Sequence, residues 1–318
     1  MLIVTGGAGF IGSQVVRALN AAGRRDLLVV DDLRDGRKFL NLRDRLLSDY
    51  LDVEEFSAAL ERDALPEVEA VFHQGACADT AESDGRFMLR NNFTFSKRLL
   101  RYCLERKVTL VYASSAAVYG ANRACAEAPA NERPLNVYGY SKLLFDQYAR
   151  RLMPEAGSTV VGLRYFNVYG PGEAHKSRMA SMPYQLYRQL RTGGAARLFA
   201  GADGCADGEQ RRDFVNVSDV ARVNLFFAFG EKRTGVFNVG TGCSRSFNEV
   251  ARALIGMLGE GRVEYIPFPE ALRGKYQSFT EAEMSALRQA GYRQPFLSLE
   301  DGLRAAAAEW NREDDARS

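Results

Sequence analysis

A tyrosine and a lysine lie four residues apart in the stretch VYGYSK, as Tyr138 and Lys142. Neither side chain exchanges protons well at neutral pH by itself, because free tyrosine titrates near pH ~10 and free lysine near ~10.4. On a helix, residues i and i+4 share a face, so the charge of Lys142 is expected to lower the pKa of Tyr138 and make it a general base. Of the fourteen tyrosines, Tyr138 is the one with a lysine four positions later, although a helix surface can carry such a pair by chance.

Two serines, Ser114 and Ser115, end the apolar run TLVYASS that precedes this pair. The run has the pattern of a buried strand, and ligands bind at the carboxyl ends of strands in open α/β sheets. A hydroxyl at that point can hydrogen-bond the oxygen of an alcohol while the phenolate of Tyr138 takes its proton. The alternative is a hydroxyl that caps the chain as it leaves the sheet, and the spacing leaves open which serine is closer.

A glycine-rich stretch, GGAGFIG at residues 6–12, lies between a strand pattern and a helix pattern. It reads as GxGxxG from Gly7 or as GxxGxxG from Gly6, in the context that the dinucleotide fingerprint requires. Glycines let the backbone turn tightly and approach a pyrophosphate, and the helix N-terminus adds amide donors. The motif predicts a nicotinamide dinucleotide rather than a purely structural turn. Its predicted contacts are Gly6, Gly9, Phe10, Ile11 and Gly12.

The charged segment after the second strand bears on which dinucleotide binds. Asp31 follows Gly12 by nineteen residues, at a strand end where a carboxylate normally hydrogen-bonds the ribose 2′-OH and favours NAD. Arg34, Arg37 and Lys38 lie in the same loop, and cations there can bind the 2′-phosphate of NADP. The spacing leaves NAD and NADP open, with a solvated charged loop as the third alternative.

The first half of the chain alternates short apolar runs with longer helical patterns, which is typical of a parallel sheet covered on both faces. Strands are predicted at 2–6, 27–32, 70–76, 109–115 and 158–168, and helices at 11–22, 87–105 and 137–152. After residue 167 the elements become mixed, with helices near 179–191 and 298–310 and short strands at RLFA, DFVNV, VFNVG and VEYIPF. The predicted fold class is a Rossmann-type, doubly wound α/β sheet with a smaller, mixed α/β C-terminal substrate domain. The dinucleotide-binding domain is expected to take 1–167 plus about 213–239, and the substrate domain about 168–212 and 240–318.

Composition and charge restrict the partners to small molecules. The 318 residues are 46% hydrophobic and 26% charged, with a net charge of +2 and no long basic block, so nothing favours nucleic acid or an anionic membrane. No apolar run reaches the ~18 residues of a membrane span, and the N-terminus enters a strand pattern rather than a signal peptide, so the cytoplasm is expected. The five cysteines are never at CxxC spacing, and the histidines are His73 and His175, so no metal site is predicted.

The glycine loop, the strand-end serine and the YxxxK pair, in this order, resemble the extended short-chain dehydrogenase/reductase enzymes that act on nucleotide sugars. The resemblance implies that Ser115, Tyr138 and Lys142 form a catalytic triad. It also implies that Lys142 holds the nicotinamide ribose.

Longer stretches narrow the resemblance to one branch of that family. The ADP-glyceromanno-heptose 6-epimerases of lipopolysaccharide biosynthesis have similar segments in the same order as FHQGACADT, LNVYGYSK, RYFNVYGPGEAHKSRMAS, QRRDFVNVSDV, FNVGTG, EYIPFPEALRGKYQSFT and AGYRQPF. This resemblance implies a bound NADP that takes hydride from C6 of the heptose, leaves a transient ketone and returns hydride to the opposite face. It also implies a cytoplasmic homo-oligomer, a pentamer in known members.

The resemblance assigns further residues. Lys176 is implied as a second acid–base group, because the ketone oxygen changes place when the other face of the ketone turns to the nicotinamide. Without the resemblance, a solvated loop lysine is the simpler interpretation. Arg212 is implied at the substrate diphosphate, and the other implied substrate contacts are Ser115, Asn167, Arg178, Gln185, Phe199 and Tyr276. The other implied cofactor contacts are Asp31, Asp32, Lys38, Gln74, Gly75, Ala76, Asn91, Tyr138, Lys142, Val168 and Lys176.

Four positions depart from the pattern of that branch. Asp32 stands where Asn is usual, Val53 where Lys is found, Gln74 where Glu is frequent and Gln185 where His is found. All four belong to the expected binding shell, so they bear on cofactor affinity and on the fit of the sugar rather than on hydride chemistry.

Three rival functions share part of this equipment. A UDP-hexose 4-epimerase would keep the same triad, and the segment HKSRMAS argues against it. A nucleotide-sugar 4,6-dehydratase would usually follow the serine with an acidic pair, whereas Ala116 and Ala117 stand here. A nicotinamide-sensing protein without catalysis has no need of Tyr138 and Lys142.

Overall fold

A parallel β-sheet forms the centre of the protein. The computed structural model describes residues 1–202, 204–270 and 276–315. The strands of the sheet are β1 Leu2–Thr5, β2 Leu27–Asp31, β3 Asp49–Asp52, β4 Ala70–His73, β5 Thr109–Ser115, β6 Val160–Tyr165 and β11 Thr234–Val239. They lie in the order β11-β6-β5-β4-β1-β2-β3, and every neighbouring pair is parallel. The carboxyl ends of these strands therefore meet at one edge, where the glycine loop and Ser115 lie.

Helices cover both faces of this sheet, because side chains alternate along each strand. The helices are α1 Phe10–Ala21, α2 Val53–Glu61, α3 Gly85–Leu89, α4 Phe95–Arg106, α5 Val137–Leu152, α6 Met182–Gly193, α7 Val217–Phe229, α8 Phe247–Leu258, α9 Ser285–Gln289 and α10 Leu299–Asp315. Val4 packs with Val15 of α1 and Phe227 of α7, whereas its neighbour Ile3 packs with Leu99 of α4 on the opposite face. The predicted doubly wound α/β sheet is confirmed. Of the described helices, none combines the length and the apolar character needed to cross a membrane.

The C-terminal part of the chain is mixed, as predicted. Short two-stranded ladders pair β7 Asn167–Tyr169 with β10 Phe214–Asn216, β8 Ala195–Phe199 with β13 Arg262–Ile266, and β9 Arg211–Arg212 with β12 Arg245–Ser246. Besides the apolar clusters on the two faces of the sheet, another buried cluster joins α6, α8 and α10 around Trp310, which is fully buried. The exact division into two domains stays a prediction.

Two predicted elements are divided in the structure. The strand predicted at 158–168 is two strands, because the Phe166 amide bonds the Val239 carbonyl and the chain then pairs with β10 as β7. The helix predicted at 87–105 contains a π-helical turn, Arg90–Thr94, between α3 and α4. β3 lies outside the predicted strands, because its residues, DYLD, are partly exposed and do not form an apolar run.

Candidate active site

The glycine loop connects β1 to α1 and packs against the chain that leaves β4. Gly6 has φ +66°, and a Cβ there would lie 2.6 Å from the Cα of Gly75, so a larger residue would displace backbone. A Cβ on Gly12 would lie 2.0 Å from the carbonyl oxygen of Gly6. The two glycines therefore allow the first turn of α1 to lie directly against the sheet edge.

The N-terminus of α1 fits the pyrophosphate of a dinucleotide. The helix begins at Phe10, and its N-cap is Gly9, which has no side chain to accept from the first-turn amides. Amides in the first turn have no acceptor within the helix, and the helix dipole places positive potential there. A phosphate group is a matching acceptor, and Phe10, Ile11 and Gly12 supply the amides at this point.

The carboxylate of Asp31 is fully engaged at the end of β2. Its Oδ2 accepts the amides of Ala8 at 2.8 Å and Gly9 at 3.0 Å. Its Oδ1 accepts the Asp32 amide at 2.7 Å and Lys38 Nζ at 2.8 Å. A carboxylate has about four acceptor positions, and these donors occupy them. Asp31 thus holds the glycine loop and Lys38 rather than presenting free acceptors to a ribose hydroxyl.

The neighbouring charges of this loop are paired as well. Arg34 Nε lies 2.8 Å from Asp32, and the Arg37 guanidinium lies 2.7 Å from Asp35. An open cavity of about 540 Å³ lies beside them, lined by Asp32, Leu33, Arg34, Tyr50, Asp52 and Glu54. Because the residue at the end of β2 marks the adenosine ribose in this fold, the cavity lies at the adenosine end of the expected dinucleotide.

Ser115, Tyr138 and Lys142 lie together at the end of β5. Tyr138 and Lys142 occupy the first turns of α5. The Ser115 hydroxyl lies close enough to the Tyr138 phenol to lower its pKa, and it accepts the Ala117 amide at 3.1 Å. Lys142 Nζ donates to the Ala113 carbonyl on β5 at 2.9 Å. The structure therefore brings the three predicted groups of the triad to one place.

The start of α5 fixes the direction of Tyr138. Asn136 is the N-cap, and its side chain accepts the Gly139 amide at 2.8 Å, a contact that typically stabilises a helix by ~1 kcal/mol. A Cβ on Gly139 would lie 2.7 Å from the Ala117 carbonyl oxygen, so the first turn packs directly on the turn that follows Ser115. Tyr138 consequently faces Ser115.

Burial sets the pKa values of the pair and corrects the expectation from their spacing. Burial raises the pKa of Tyr138, and the Ser115 hydrogen bond opposes that rise. Burial lowers the pKa of Lys142 to about 8, opposed by the Asp146 carboxylate. The expected lowering of the Tyr138 pKa by Lys142 is wrong for this structure, since the ammonium lies against the Ala113 carbonyl. Tyr138 is a neutral phenol near pH 7 until further positive charge enters the site.

A buried ion network that the sequence patterns above do not predict lies behind the triad. Asp146, one turn after Lys142 on α5, accepts Ser114 Oγ at 2.9 Å and Arg164 Nε at 3.0 Å. Arg164 is fully buried and also donates to Glu132. The four-residue spacing of the tyrosine and lysine continues to Asp146, and this continuation is the signal that could have identified it.

The two strand-end serines have different partners. Ser114 is buried and donates to Asp146. Ser115 contacts the Tyr138 phenol. The serine closer to Tyr138 is therefore Ser115.

The π-helical turn lies beside the triad and contains Asn91, a predicted cofactor neighbour. The next residue, Asn92, is buried, and its Nδ2 donates to the Cys77 carbonyl at 2.9 Å and to Ser141 Oγ at 3.0 Å. This side chain ties the segment after β4 to α5. A π turn holds one residue more than an α turn, which explains why a prediction of uninterrupted helix misses this contact.

The residues that follow β4 contact two different parts of the protein. Gly75, followed by Ala76, packs on the glycine loop, and its amide lies 3.2 Å from Thr5 Oγ1. The Gln74 side chain turns elsewhere, donating to Asn224 at 3.0 Å and accepting from Tyr165 at 2.9 Å. In this structure Gln74 is held by α7 and β6 rather than aimed at the glycine loop.

Lys176 lies on an irregular segment after β7. The 3-10 segment Ala174–Met179 includes Ser177 with φ 50° and ψ −120°. Lys176 Nζ lies 5.5 Å from the ring centroid of Phe10, so the lysine faces the glycine loop. Burial lowers the pKa of Lys176, and the charge of Glu173 opposes that change. A lysine with a lowered pKa beside a dinucleotide loop is suited to proton transfer.

Two other predicted substrate contacts belong to the same region. Arg178 pairs with Asp79 at 2.9 Å and is otherwise exposed. Gln185 Nε2 donates to the Ala180 carbonyl at 2.7 Å and to the Arg178 carbonyl at 3.3 Å. Gln185 thus holds the backbone of the segment that carries Lys176.

Phe199, Arg212 and Tyr276, three predicted substrate contacts, lie together apart from the triad, and we name them the second cluster. The Arg212 guanidinium lies 4.7 Å from the ring centroid of Tyr276, and the Phe199 and Tyr276 rings are 6.3 Å apart. Arg212 is buried, and burial lowers its pKa. A buried guanidinium stacked on an aromatic ring is suited to a diphosphate. Gly274 and Lys275, part of the resemblance, lie outside the described residues.

The segment 276–280 connects this cluster to the triad. Gln277 Nε2 donates to the Gly120 carbonyl, just beyond Ser115, at 2.6 Å. At the other end, Thr280 Oγ1 lies 3.2 Å from Asn167 Oδ1 on β7, next to Val168. The predicted substrate contacts Asn167 and Tyr276 therefore flank one connected segment.

Known proteins share this architecture. Residues 2–240 match the NAD dependent epimerase/dehydratase family. A relative from Alkalilimnicola ehrlichii, named ADP-L-glycero-D-manno-heptose-6-epimerase, is 55% identical over 305 residues, which is 96% of this chain and 95% of the relative. The solved Helicobacter pylori ADP-L-glycero-D-manno-heptose-6-epimerase is 30% identical with a TM-score of 0.85, over 98% of this chain and 96% of that one.

A second solved structure shows how far the fold extends beyond one substrate. The Thermus thermophilus UDP-glucose 4-epimerase in complex with NAD is 28% identical with a TM-score of 0.79, over 98% of each chain. Its identity and TM-score are both lower than those of the Helicobacter pylori protein. We conclude that the chain belongs to the NAD dependent epimerase/dehydratase family, within the branch of the ADP-L-glycero-D-manno-heptose-6-epimerases.

Proposed function

We propose that this chain inverts C6 of the heptose in ADP-D-glycero-D-manno-heptose and forms ADP-L-glycero-D-manno-heptose, a precursor of the lipopolysaccharide core. The observation that carries the proposal is the position of Lys176: its pKa is lowered and its side chain faces the glycine loop, so it would serve as a second proton-transfer group in addition to Tyr138. The 55% identity to a relative named for this activity supports the choice of substrate.

The reaction needs two groups because a fixed hydride donor meets both faces of one carbon. The bound dinucleotide would accept hydride from C6 and return it, so no external reductant is consumed. With the positive charge of an oxidised nicotinamide in the site, Tyr138, beside Ser115, would become a phenolate and would take the proton of the C6 hydroxyl as that carbon loses hydride. The resulting ketone must then turn its other face to the nicotinamide, which moves its oxygen. Lys176 would give a proton to the oxygen in its new place while C6 regains hydride, and proton exchange with water would return Tyr138 and Lys176 to their starting states.

The second cluster would hold the rest of the substrate. Arg212 is desolvated and stacked on Tyr276, so a diphosphate there would meet an unscreened positive charge. Phe199 offers an apolar surface beside them. Binding energy from the diphosphate would keep the substrate in the site while its reacting end turns.

The proposed activity is tested by supplying the substrate without any nicotinamide. Purified protein is mixed with ADP-D-glycero-D-manno-heptose, and the sugar signals are followed by NMR to equilibrium. The L-glycero epimer should appear, whereas UDP-glucose in a parallel sample should stay unchanged. An unchanged heptose after NADP and NAD have both been added would overturn the proposal.

The proposal includes NADP as the dinucleotide. Asp31, whose acceptors are occupied, has none left for a ribose 2′-OH, and Lys38 Nζ lies 2.8 Å from it as a partner for a phosphate. The solved Thermus thermophilus relative holds NAD, which is the alternative. Mass spectrometry of the dinucleotide released on denaturation should find NADP, and Lys38→Met should lower the NADP content. Release of NAD alone from the unaltered protein would contradict this part.

The proposal also includes assembly and location. We expect a cytoplasmic homo-oligomer, a pentamer as in the branch that the sequence resembles. Light scattering of the purified protein measures its mass directly. A monomer in that measurement would contradict the expected assembly.

A further inference from the structure

Glu173 lies at the base of the segment that carries Lys176, and its side chain is fully buried. Its Oε1 accepts the Gly170 amide at 3.0 Å and Ser181 Oγ at 2.9 Å, and its Oε2 accepts the Ser181 amide at 2.5 Å. Gly170 directly follows β7, and Ser181 is the N-cap of α6. One carboxylate therefore joins the two ends of residues 171–180, which we name the Lys176 loop.

The Lys176 loop contains a strained residue. Ser177 has φ 50° and ψ −120°, a conformation that residues with a side chain rarely adopt. Such a conformation persists where the surrounding contacts hold the chain in place. Because Ser177 follows Lys176 directly, the contacts at the ends of the loop also decide where the lysine points.

A second contact fixes the loop against the glycine loop. Asn41 Nδ2 donates to the Ala8 carbonyl and to the Gly172 carbonyl, each at 3.0 Å. Lys176 Nζ lies over the ring of Phe10, in the first turn of α1. The loop is thus held at its ends by Glu173 and in its first half by Asn41.

We propose that Glu173 is a positioning residue for Lys176: its carboxylate holds the loop that aims the lysine at the glycine loop, and its negative charge favours the protonated ammonium. The inference rests on the proposed function, in which Lys176 gives a proton to the ketone oxygen. Glu173 acts through Lys176, so its role is visible in the protonation of that lysine.

The protonation states of the two groups are coupled. Burial raises the pKa of Glu173 to about 7, opposed by its bonds to Ser181 and Gly170 and by the charge of Lys176. Burial lowers the pKa of Lys176, and Glu173 opposes that change. Removing the negative charge should therefore lower the pKa of Lys176 further.

Other charged groups surround the loop from neighbouring elements. Within the loop, His175 is close enough to Lys38, Asp35 and Asp31 for their charges to affect its pKa. From α10, Glu313 accepts the Gly172 amide at 2.7 Å. The variants below leave all of these groups in place, so the charges of these groups act on the Lys176 pKa in the same way in the parent protein and in each variant.

The direct test measures the Lys176 pKa without substrate. The chain has seven lysines, so in protein labelled with [¹³C]lysine the Cε signal of Lys176 is identified by its absence in Lys176→Met. Glu173→Gln should lower the Lys176 pKa by about one unit or more. Ser181→Ala is the matched control, because it removes one hydrogen bond to the same carboxylate and keeps the charge. Its Lys176 pKa should stay within a few tenths of a unit of the parent value.

The second test of the role of Glu173 measures turnover and its dependence on pH. Glu173→Gln should lower kcat about 10-fold or more and move the Lys176 limb of the pH profile to lower pH, whereas Ser181→Ala should leave the position of that limb unchanged. An unchanged Lys176 pKa in Glu173→Gln, or an equal shift in Ser181→Ala, would overturn the inference. A shifted pKa in a protein whose parent does not turn over the heptose would overturn the proposed function alone.

A further variant covers the case in which Glu173→Gln does not fold. Glu173→Asp keeps the charge, but its shorter side chain does not span both ends of the loop. Its Lys176 pKa should stay near the parent value while kcat falls. Parent-like turnover in Glu173→Asp would overturn the positioning role.

Discussion

The two proposed proton-transfer groups are supported in opposite ways. Tyr138 lies in the first turn of a regular helix that packs on β5, and the buried Asp146–Arg164 pair lies behind it. Lys176 lies on a short irregular loop with a strained residue, held at both ends by Glu173. Regular elements fix a side chain through many neighbours, whereas the loop depends on few. The Lys176 side should therefore be the easier one to disturb by single substitutions.

The carboxylates behind the two lysines also differ. Asp146, behind Lys142, is paired with the permanent charge of Arg164. Glu173, near Lys176, accepts from neutral amide and hydroxyl groups, and burial raises its pKa to about 7. The comparison teaches that, near neutral pH, Glu173 should titrate in the Lys176 loop, whereas in the triad the titrating group should be Lys142, whose pKa burial lowers to about 8.

The largest expected effect is the loss of the base on the regular side. Tyr138→Phe removes the hydroxyl that takes the proton, so turnover should fall about 10²- to 10⁴-fold. The content of bound dinucleotide should stay nearly the same, because the glycine loop is untouched. Initial rates followed by NMR, with the dinucleotide quantified after denaturation, test both statements; full activity in this variant would remove Tyr138 from the mechanism.

Next in size is the stability of the support behind the triad. Asp146→Asn removes one of the two carboxylates that neutralise buried Arg164 and leaves Glu132 as the other, so the free energy of unfolding should fall by about 3 kcal/mol. The control is Asp79→Asn, which breaks the pair between a partly exposed Asp79 and the exposed Arg178 and should cost less than about 1 kcal/mol. Urea unfolding measures both. Equal losses of unfolding free energy in the two variants would mean that the buried network adds no more stability than an exposed ion pair.

A smaller loss of activity should follow from removing the loop lysine. Lys176→Met should lower epimerisation about 10²-fold or more, since the ketone oxygen loses its proton donor. The matched control is Lys232→Met, at an exposed lysine outside the site, which should keep the parent rate. NMR rates for both proteins check this. A parent-like rate in Lys176→Met would end its role as the second group.

The pH dependence of stability sharpens the comparison further. The pKa of Glu173 rises from 4.5 in the unfolded chain to about 7 in the folded protein. Its contribution to the free energy of unfolding is therefore fully present below pH 4.5 and is lost as the pH rises through about 7. The loss should be at most about 3 kcal/mol between pH ~5 and ~8, and Glu173→Gln should lack it. Unfolding free energies of both proteins at the two pH values give the difference. An identical pH dependence would show that Glu173 does not titrate in this range.

Local patterns predict the regular side well. The glycine spacing and the four-residue spacing of Tyr138 and Lys142 depend on neighbours along the chain, and α5 has the predicted bounds, Val137–Leu152. The same spacing indicates a shared face but not how much water is excluded. For that reason the expected direction of the Tyr138 pKa is wrong while the placement of the residue is confirmed.

The residues that support the site could not be predicted, because their partners are distant in sequence or created by folding. Glu173 is buried through a contact with the start of α6, and Asp146 through Arg164 on β6. Asn92 faces Ser141 because of a π turn. A sequence shows these residues as ordinary polar side chains, and their contacts alone distinguish them. The resemblance implies Lys176 itself, while its position beside the glycine loop is a property of the fold.

Hydride removal from C6 and its return to the same carbon is the central claim, and an isotope label tests it most directly. ADP-D-glycero-D-manno-heptose carrying deuterium at C6 is converted in ordinary water, and the product is examined by NMR and mass spectrometry. The account predicts that the L-glycero product keeps its deuterium at C6, because the bound dinucleotide returns the hydride that it received. Replacement of the deuterium by solvent hydrogen would contradict the account, since the carbon would then be inverted by deprotonation.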